Sequence, residues 1–483
     1  MKKHKQEFFK IHQFKRRYDA QQGKFIINIA YETATEPTSR TIAVAEAFGL
    51  GLDQNQKFVI YDNVELKIGE NDIVYITGDS GSGKSVLLKA IRHDLNEKAI
   101  DLTEIKPEPN KPIIDTVGRN FSEGLDLLSK VGLNDAFLFV RRFEELSDGQ
   151  KYRYKITKLM ESEKEWWLAD EFCSTLDRDT AKIVAFNIQK FARLMGKAVI
   201  VATTHMDLFE DLKPNVYVHK RFGKEITVNY FVNASPKECS LVKEMRVEEG
   251  NIKDYRKLSI FHYRSTCCPP PRKIFTLKRS EELCGVIVYS YPSPICFGRS
   301  KVLKESFEQL QRDVSIISRV IIHPKYRSIG LGVKLVRETL SRVGTPFVEA
   351  LAVMAKYNPF FEKAGMRKIV ESKPNANLLH SVERLHELGF ELSFLNNVKE
   401  NLRLIEFLGR SKVLNVLKEL SRREGSLRKR LLALDSVYPS HREFLKKLYG
   451  ASDEDLAVIL KRLAFLVQSK VYLFWSKDGF ERK

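Results

Sequence analysis

A glycine-rich segment between an apolar run and a helical stretch constrains this chain more than any other feature. It reads Gly78-Asp-Ser-Gly-Ser-Gly-Lys-Ser85, which fits the pattern G-x-x-x-x-G-K-[ST]. Such glycines let backbone N–H groups turn inward around phosphate oxygens, and a helix start adds partial positive charge. We expect Lys84 to neutralise phosphates and the Ser85 hydroxyl to bind Mg²⁺. The residues expected to hold a nucleoside triphosphate are Gly78, Ser80, Gly81, Gly83, Lys84 and Ser85.

A second apolar run, Trp166-Trp-Leu-Ala-Asp170-Glu171, ends in two carboxylates. An acidic strand end is often only a helix cap. In the same domain as the glycine loop, a buried strand would instead hold Asp170 beside the Mg²⁺ ion, because the cation favours a carboxylate. Glu171 would then polarise the attacking water as a general base. We therefore predict a triphosphate site with Ser85 and Asp170 on the metal.

Three shorter fragments narrow the family. They are Leu146-Ser147-Asp148-Gly149-Gln150, Ser174-Thr-Leu-Asp177 and His205. Together with the two motifs above, and in this order, they resemble the signature, D-loop and switch histidine of ABC ATPases, over roughly residues 40–232. The resemblance implies ATP as substrate and a homodimer formed through the ATPase domains. In that dimer Ser147, Gly149 and Gln150 of one subunit would contact nucleotide held by the other, and His205 would contact the γ-phosphate.

The sequence departs from the ABC pattern in several places. Asp148 replaces the first glycine of the signature, and no glutamine lies between Ser85 and Gln150. The family's Q-loop glutamine is therefore absent, and Asp115 or a water molecule would substitute. Phe48 stands about where ABC proteins stack an aromatic ring on adenine, although a core phenylalanine is nearly as good an interpretation. The short distance between the loop and the signature argues against a transporter subunit.

A second glycine loop, Arg327-Ser-Ile-Gly330-Leu-Gly332, follows an apolar strand and opens a helix. With Asn358-Pro-Phe-Phe-Glu-Lys-Ala-Gly365 it resembles the acetyl-CoA loop of GNAT acyltransferases. The resemblance implies that Arg327, Gly330 and Gly332 bind acetyl-CoA. Phe361 stands where the family often has a tyrosine general acid, so Tyr357 is the alternative acid. His323 and Glu349 are candidate bases, and each is as readily a structural polar residue.

The charge of the chain is the informative part of its composition. A net charge of +19 is not needed for a fold but attracts polyanions, so we expect a nucleic-acid partner over a merely solvated basic surface. The six cysteines show no secreted spacing and are expected to be reduced thiols. The chain has neither an apolar run that would span a bilayer nor an apolar signal core. We expect a cytoplasmic protein with no membrane partner.

The sequence thus predicts an α/β protein with an ABC-type P-loop ATPase domain, a GNAT-like α/β domain and a mostly helical C-terminal region. The expected segments are a basic N-terminal arm (1–38), the ATPase domain (39–234), a connector (235–257), the acyltransferase domain (258–370) and the helical region (371–483). The expected function is ATP-driven acyl modification of nucleic acid. The alternatives are an ATP-gated protein N-acyltransferase and a transporter ATP-binding component with a non-catalytic GNAT-like module.

Overall fold

The structure is a computed structural model, and its contacts divide the chain into two compact units. The first comprises Met1–Cys268, Lys273–Val288 and Arg319–Glu338, and the second comprises Pro269–Arg272, Tyr289–Ser318 and Thr339–Lys483. The described residues are 9–19, 22–33, 38–50, 56–232, 236, 238–262, 268–353, 355, 358–372, 375–433 and 439–479.

The strands and helices are numbered in chain order. The strands are β1 (Phe9–Asp19), β2 (Lys24–Thr33), β3 (Gln56–Lys67), β4 (Ile73–Gly78), β5 (Ala99–Asp101), β6 (Trp166–Ala169), β7 (Ala198–Ala202), β8 (Val216–Lys220), β9 (Ile226–Tyr230), β10 (Met245–Glu249), β11 (Pro271–Arg279), β12 (Glu282–Ser290), β13 (Val314–Ile322), β14 (Phe347–Ala352), β15 (Arg367–Glu371) and β16 (Val471–Ser476). The helices are α1 (Ser39–Phe48), α2 (Lys84–Leu95), α3 (Phe121–Lys130), α4 (Ala136–Phe139), α5 (Asp148–Glu161), α6 (Arg178–Met195), α7 (Phe209–Leu212), α8 (Ser240–Lys243), α9 (Ile252–Ser259), α10 (Phe307–Asp313), α11 (Leu331–Leu340), α12 (Phe360–Lys363), α13 (Ala376–Glu387), α14 (Val398–Leu408), α15 (Arg410–Arg423), α16 (Arg428–Leu432), α17 (His441–Tyr449) and α18 (Asp453–Val467).

The central sheet of the first unit has the strand order β5-β6-β7-β4-β8-β9. Its strands run parallel except β9, which pairs antiparallel with β8. Successive side chains of β4 point to opposite faces, so Tyr75 joins one apolar core and Ile76 joins another. Both faces are therefore buried, which explains the uninterrupted apolar runs of these strands.

The expected N-terminal arm is wrong from residue 9 onward. Strands β1 and β2 pair antiparallel, and β2 pairs with β3 to complete a three-stranded sheet. Phe25, Ile27 and Ile29 of β2 are fully buried. Their alternation with other residues is the period-2 pattern of a half-buried strand. We gave weight to the basic charge of the segment and overlooked this pattern.

The expected connector is also part of a folded element. Helix α8, strand β10 and helix α9 lie in this segment, and β10 pairs antiparallel with β11. Tyr255 and Leu258 of α9 pack with Ile274 and Val286 in a small apolar core. The segment therefore begins the second α/β element of the chain.

The second unit contains a sheet edge and a helical bundle. Its strands follow the order β13-β14-β16-β15, in which β13 and β14 are parallel and β16 is antiparallel to both of its neighbours. Strand β16 comes from the region that we expected to be mostly helical. Helices α13 to α18 share one apolar core, with Leu385, Ile405 and Leu460 fully buried.

None of the described helices combines the length and the apolar character that crossing a bilayer requires.

Candidate functional site

The glycine loop lies where the sequence places it, between the buried strand β4 and helix α2. Gly78, Gly81 and Gly83 all have positive φ angles, of 138°, 76° and 105°. A Cβ at Gly83 would lie 2.6 Å from Ile60 Cγ2, and a Cβ at Gly78 would collide with the backbone carbonyl of Lys220. Both glycines are therefore required by close packing as well as by the backbone conformation.

Lys84 is buried, and its ammonium is held within the loop. Its Nζ donates to the backbone carbonyl oxygens of Gly78, at 2.8 Å, and Asp79, at 2.6 Å. Burial lowers the pKa of Lys84, while the charges of Glu171 and Asp170 oppose that shift. Strands β4 and β6 run parallel on either side of β7, so the glycine loop and the two carboxylates of the second motif follow the same edge of the sheet.

Other polar groups of the loop are positioned to receive a ligand. The Ser82 hydroxyl is buried and makes no hydrogen bond in the described part of the chain. Such a group costs free energy unless a partner arrives. Ser80 is exposed, and Ser85 is half-buried at the second position of α2. A triphosphate in the loop and Mg²⁺ at Ser85 would satisfy these hydroxyls.

The acidic pair follows the fully buried strand β6. Glu171 is exposed and has a φ of 51°, and its backbone N–H donates to Asp170 Oδ1 at 3.0 Å. A non-glycine residue in this left-handed region costs about 1–3 kcal/mol, and such residues cluster at functional sites. The strained backbone at Glu171 is thus consistent with a functional position at the end of β6.

The signature and histidine segments lie in the same unit. Ser147 is exposed directly before α5, where its N–H donates to Gln150 Oε1 at 3.0 Å. A Cβ on Gly149 would lie 3.4 Å from the side chain of Leu176, so the signature packs on the D-loop segment. His205 is half-buried and donates its N–H to Thr203 Oγ1 at 3.3 Å.

Two predicted residues have weaker support. Phe48 is 76% exposed at the end of α1, so it does not line a preformed pocket for adenine. Asp115 is exposed at the end of a 3₁₀ turn.

Sequence reasoning missed two residues that contact the glycine loop. The Tyr61 hydroxyl donates to the Gly83 carbonyl at 2.9 Å, and Lys220 is buried beneath the loop. These residues come from distant strands and match no motif.

The second glycine loop joins β13 to α11, as expected. Gly330 has a φ of 85° with open space beside it, and Gly332 is half-buried in the first turn of α11. Arg327 does not point to a ligand: it donates to the backbone carbonyls of Ile322 and Asn134, both at 2.9 Å. The side chain of Arg327 thus holds the backbone around the loop, and acetyl-CoA binding at Arg327, Gly330 and Gly332 stays a prediction.

The candidate acid and bases of this second loop are only partly supported. Tyr357 lies outside the described residues. Burial lowers the pKa of His323, so its imidazole is neutral near pH 7. Glu349 is fully buried, with Arg299 Nε at 3.0 Å and the Tyr472 hydroxyl at 2.9 Å from its carboxylate. Its oxygens are committed to these partners, which makes Glu349 a structural residue rather than a base.

Comparisons with known proteins match the part of the chain that holds the triphosphate site. The family model described as ABC transporter matches residues 61–123. The spermidine/putrescine import ATP-binding protein PotA of Borrelia garinii subsp. bavariensis is 30% identical over 242 residues, covering 43% of this chain and 69% of that protein. The methionine import ATP-binding protein MetN of Clostridium tetani is 28% identical over 193 residues, covering 32% and 59%.

A solved structure also matches. The dimeric ATP-binding cassette MJ0796 bound to ADP and Pi aligns with a TM-score of 0.31 and 18% identity, covering 37% of this chain and 94% of that one. The phosphate loop, the acidic strand end and the identity with PotA agree: the chain belongs to the ATP-binding proteins of the ABC family.

Proposed function

We propose that this protein is an ABC-type ATPase coupled to a GNAT-like acyltransferase that acts on nucleic acid. The observation that supports the ATPase part is the placement of the glycine loop and the acidic pair after parallel strands, β4 and β6, that end at the same edge of the sheet. The loop holds the buried ammonium of Lys84, and the pair is Asp170 and Glu171. A cation among inward-facing N–H groups binds the β- and γ-phosphates, and the carboxylates serve the metal and the water.

Hydrolysis follows from what these residues do. Mg²⁺, held by Ser85 and Asp170, would neutralise charge on the phosphate oxygens. Glu171 accepts the proton of the attacking water as general base, and His205 donates a hydrogen bond to the γ-phosphate. The exposed Ser147 at the start of α5 offers its hydroxyl and nearby N–H groups to nucleotide bound by a second subunit. The functional ATPase is therefore a homodimer.

Three substitutions test the ATPase. Lys84→Ala should weaken ATP binding, because it removes the cation on the phosphates. Asp170→Asn should raise the Mg²⁺ concentration that turnover needs. Glu171→Gln should retain ATP binding and lower kcat by roughly 10²–10⁴-fold, the usual contribution of a general base. Steady-state phosphate release and nucleotide binding on the full chain measure these effects. Parental kcat in Glu171→Gln would overturn the assignment of the base.

The acyltransferase part is supported by the strand–loop–helix order at Gly330 and Gly332. Because Arg327 is committed to backbone carbonyls, the N–H groups of the loop and the start of α11 are the groups left for a pyrophosphate. His323, neutral near pH 7, is the candidate base and Tyr357 the candidate acid. Transfer of a labelled acetyl group from acetyl-CoA to separate RNA, DNA and protein pools tests both the reaction and the acceptor. Label in protein alone would favour the protein N-acyltransferase.

The nucleic-acid part is supported by a basic cluster in the helical bundle, defined as Arg422, Arg423, Arg428, Lys429 and Arg430. Its residues lie at the end of α15 and in α16. Arg422 and Arg430 are exposed. Clustered guanidinium groups bind phosphate backbones without sequence preference, by releasing counterions.

A second candidate function is the ATP-binding component of an importer. PotA and MetN are import ATP-binding proteins, and this chain shares their ATPase region. Phe121, Phe137 and Val140 expose more than half of their apolar side chains on and beside α3 and α4. Exposed apolar groups of this size often mark protein interfaces. Recovery of the chain in a detergent-extracted complex with a membrane-spanning protein would favour this function over the first.

A further inference from the structure

Asp179, the second residue of α6, contacts three side chains from a distant part of the chain. Its carboxylate accepts from Arg279 Nη1 at 2.8 Å and Lys325 Nζ at 2.6 Å, and it lies 3.2 Å from the Tyr326 hydroxyl. Arg279 ends β11, and the other two lie in the turn that precedes the second glycine loop. All of these residues belong to the first unit.

This cluster is partly buried and well satisfied. The Asp179 side chain is 16% exposed, and Arg279 and Lys325 are 23% and 31% exposed. Arg279 also donates to Glu244 at 2.6 Å, and the Tyr326 hydroxyl donates to Glu282 at 2.6 Å. Because several charge-assisted hydrogen bonds share these partners, the loss of one contact affects the others.

The pKa of Asp179 agrees with this geometry. Burial raises it, but hydrogen bonds from Lys325 and Arg279 outweigh burial, so the pKa lies below its usual value. The carboxylate is therefore charged at neutral pH.

The start of α6 also carries groups of the ATPase site. Asp177 ends the D-loop fragment and caps α6, accepting from the Thr180 N–H at 3.1 Å. Arg178 donates through Nε to Asp207 Oδ2 at 2.9 Å and pairs with the other carboxylate oxygen as well. Asp207 follows His205 by two residues. Asp179 therefore directly follows two residues at the start of α6 that belong to the D-loop or contact the histidine segment.

A separate contact ties the second glycine loop to the same helix. Asn187 Nδ2 of α6 donates to Ser328 Oγ at 3.3 Å. Arg327 donates to the Asn134 carbonyl between α3 and α4. The turn and loop of residues 324–328 therefore rest on ATPase elements at two further points.

We propose that Asp179 is a positioning residue for ATP hydrolysis, through which Arg279 and Lys325 set the D-loop and the histidine segment. The inference rests on the ATPase activity of the proposed function. Because Lys325 stands just before the second glycine loop, a ligand that moves this loop changes ATP turnover through Asp179. A displacement of the reacting groups by 1 Å lowers the rate of such a reaction by as much as ~100-fold. An ion pair that lies away from the phosphates therefore affects kcat if it positions these groups.

The test uses the full chain with Lys325→Met, Arg279→Met, Asp179→Asn and the conservative Lys325→Arg. Lys334→Met is the matched control, because Lys334 pairs with Glu338 at 2.9 Å on α11 and its substitution removes the same charge. The expected result is a fall in kcat of roughly 10-fold in the first three, with KM for ATP within about twofold of the parental value. Lys325→Arg should retain most of kcat, and Lys334→Met should match the parental chain.

Hydrogen exchange gives a readout that does not need turnover. Amides of residues 174–178 should exchange faster in Lys325→Met and Asp179→Asn, and at the parental rate in Lys334→Met. Parental exchange and parental kcat in the folded Asp179 and Lys325 variants would overturn the inference. A parental chain with no Glu171-dependent ATPase would instead overturn the proposed function, and faster exchange at 174–178 would still support the positioning role.

Discussion

The hydroxyl of Tyr75 donates a hydrogen bond to the backbone carbonyl oxygen of His205. Tyr75 is fully buried in β4, the strand that leads into the phosphate loop, and His205 follows β7. Burial raises the pKa of Tyr75, so its hydroxyl remains a donor at any physiological pH. Strand β4, which leads into the phosphate loop, thus also holds the backbone at His205, the residue expected to contact the γ-phosphate.

We predict that Tyr75→Phe lowers kcat for ATP while leaving KM nearly unchanged. A buried hydrogen bond contributes about 0.5–1.5 kcal/mol, which corresponds to a loss of roughly 2- to 10-fold in kcat if the bond positions His205. Tyr217→Phe is the control, because it removes a bond of 2.8 Å to Thr77 in the same sheet without touching His205. Steady-state ATPase assays compare the variants. Equal losses in both would mean that the bond serves stability alone.

A second prediction concerns the homodimer. Ser147 is exposed at the start of α5, so its hydroxyl is accessible to a second subunit. Chains with Lys84→Ala or Ser147→Arg should each be inactive. After mixing, half of the dimers pair the two variants, and each of these regains one working site. We expect about one quarter of the parental ATPase activity from a symmetric dimer with random exchange.

The control for this experiment carries both substitutions on one chain and should stay inactive after mixing with itself. Exchange of subunits is checked with two affinity tags. If mixed dimers form and show no activity, Ser147 does not act on the nucleotide of the other subunit.

The parts of the site that sequence could predict are those encoded locally. The apolar run before the glycine loop is a strand, Ile73–Gly78, and the helical stretch after it begins at Lys84. The glycine spacing and the apolar run are sufficient to predict this strand, loop and helix, because all three come from one continuous segment. The acidic end of β6 was predicted in the same way, from one continuous apolar run followed by Asp170 and Glu171.

The errors arose where distant segments pair. Strand β16 pairs with Phe347–Ala352, far upstream, and β10 pairs with β11 across a helix. No local pattern encodes such partners. The side-chain partners of Arg327 and Glu349 could not be predicted for a related reason. Residue type left Glu349 open as a base or a structural residue, and its partner Arg299, like the Asn134 carbonyl that accepts from Arg327, lies in a distant segment. Burial and hydrogen-bond partners are properties of the folded chain.

A third prediction tests acetyl-CoA binding at the second loop. Gly330→Ala should weaken binding by roughly 10-fold or more, because a Cβ and a strained backbone disturb the N–H groups of the loop. Gly344→Ala is a close control: Gly330 and Gly344 have φ angles of 85° and 92°, and both have open space where a Cβ would stand. Each substitution should destabilise the fold by about 1–2 kcal/mol. Calorimetric titration of the full chain with acetyl-CoA distinguishes them. Equal affinities in both folded variants would remove the loop as the binding element.

The last prediction concerns nucleic acid. Deletion of the basic residues 1–17 does not test nucleic-acid binding by itself, because it also removes most of strand β1. Arg422, Arg423 and Arg430 of the basic cluster are exposed, but Arg423 pairs with Glu419, and half-buried Arg428 donates to the Ser421 carbonyl. Arg422 and Arg430 are therefore the arginines to substitute.

We predict that the parental chain binds duplex DNA or RNA with an affinity that falls steeply as salt rises. The double variant Arg422→Gln, Arg430→Gln should reduce the slope of log affinity against log salt by about 0.9 for each duplex phosphate that it no longer neutralises. Lys89→Gln with Lys98→Gln is the matched control, because it removes the same charge from exposed positions on and just after α2. Fluorescence anisotropy at several salt concentrations measures the slopes. Equal slopes in the two double variants would place the phosphate-binding surface elsewhere, and a parental chain that binds neither polymer at low salt would favour a protein acceptor.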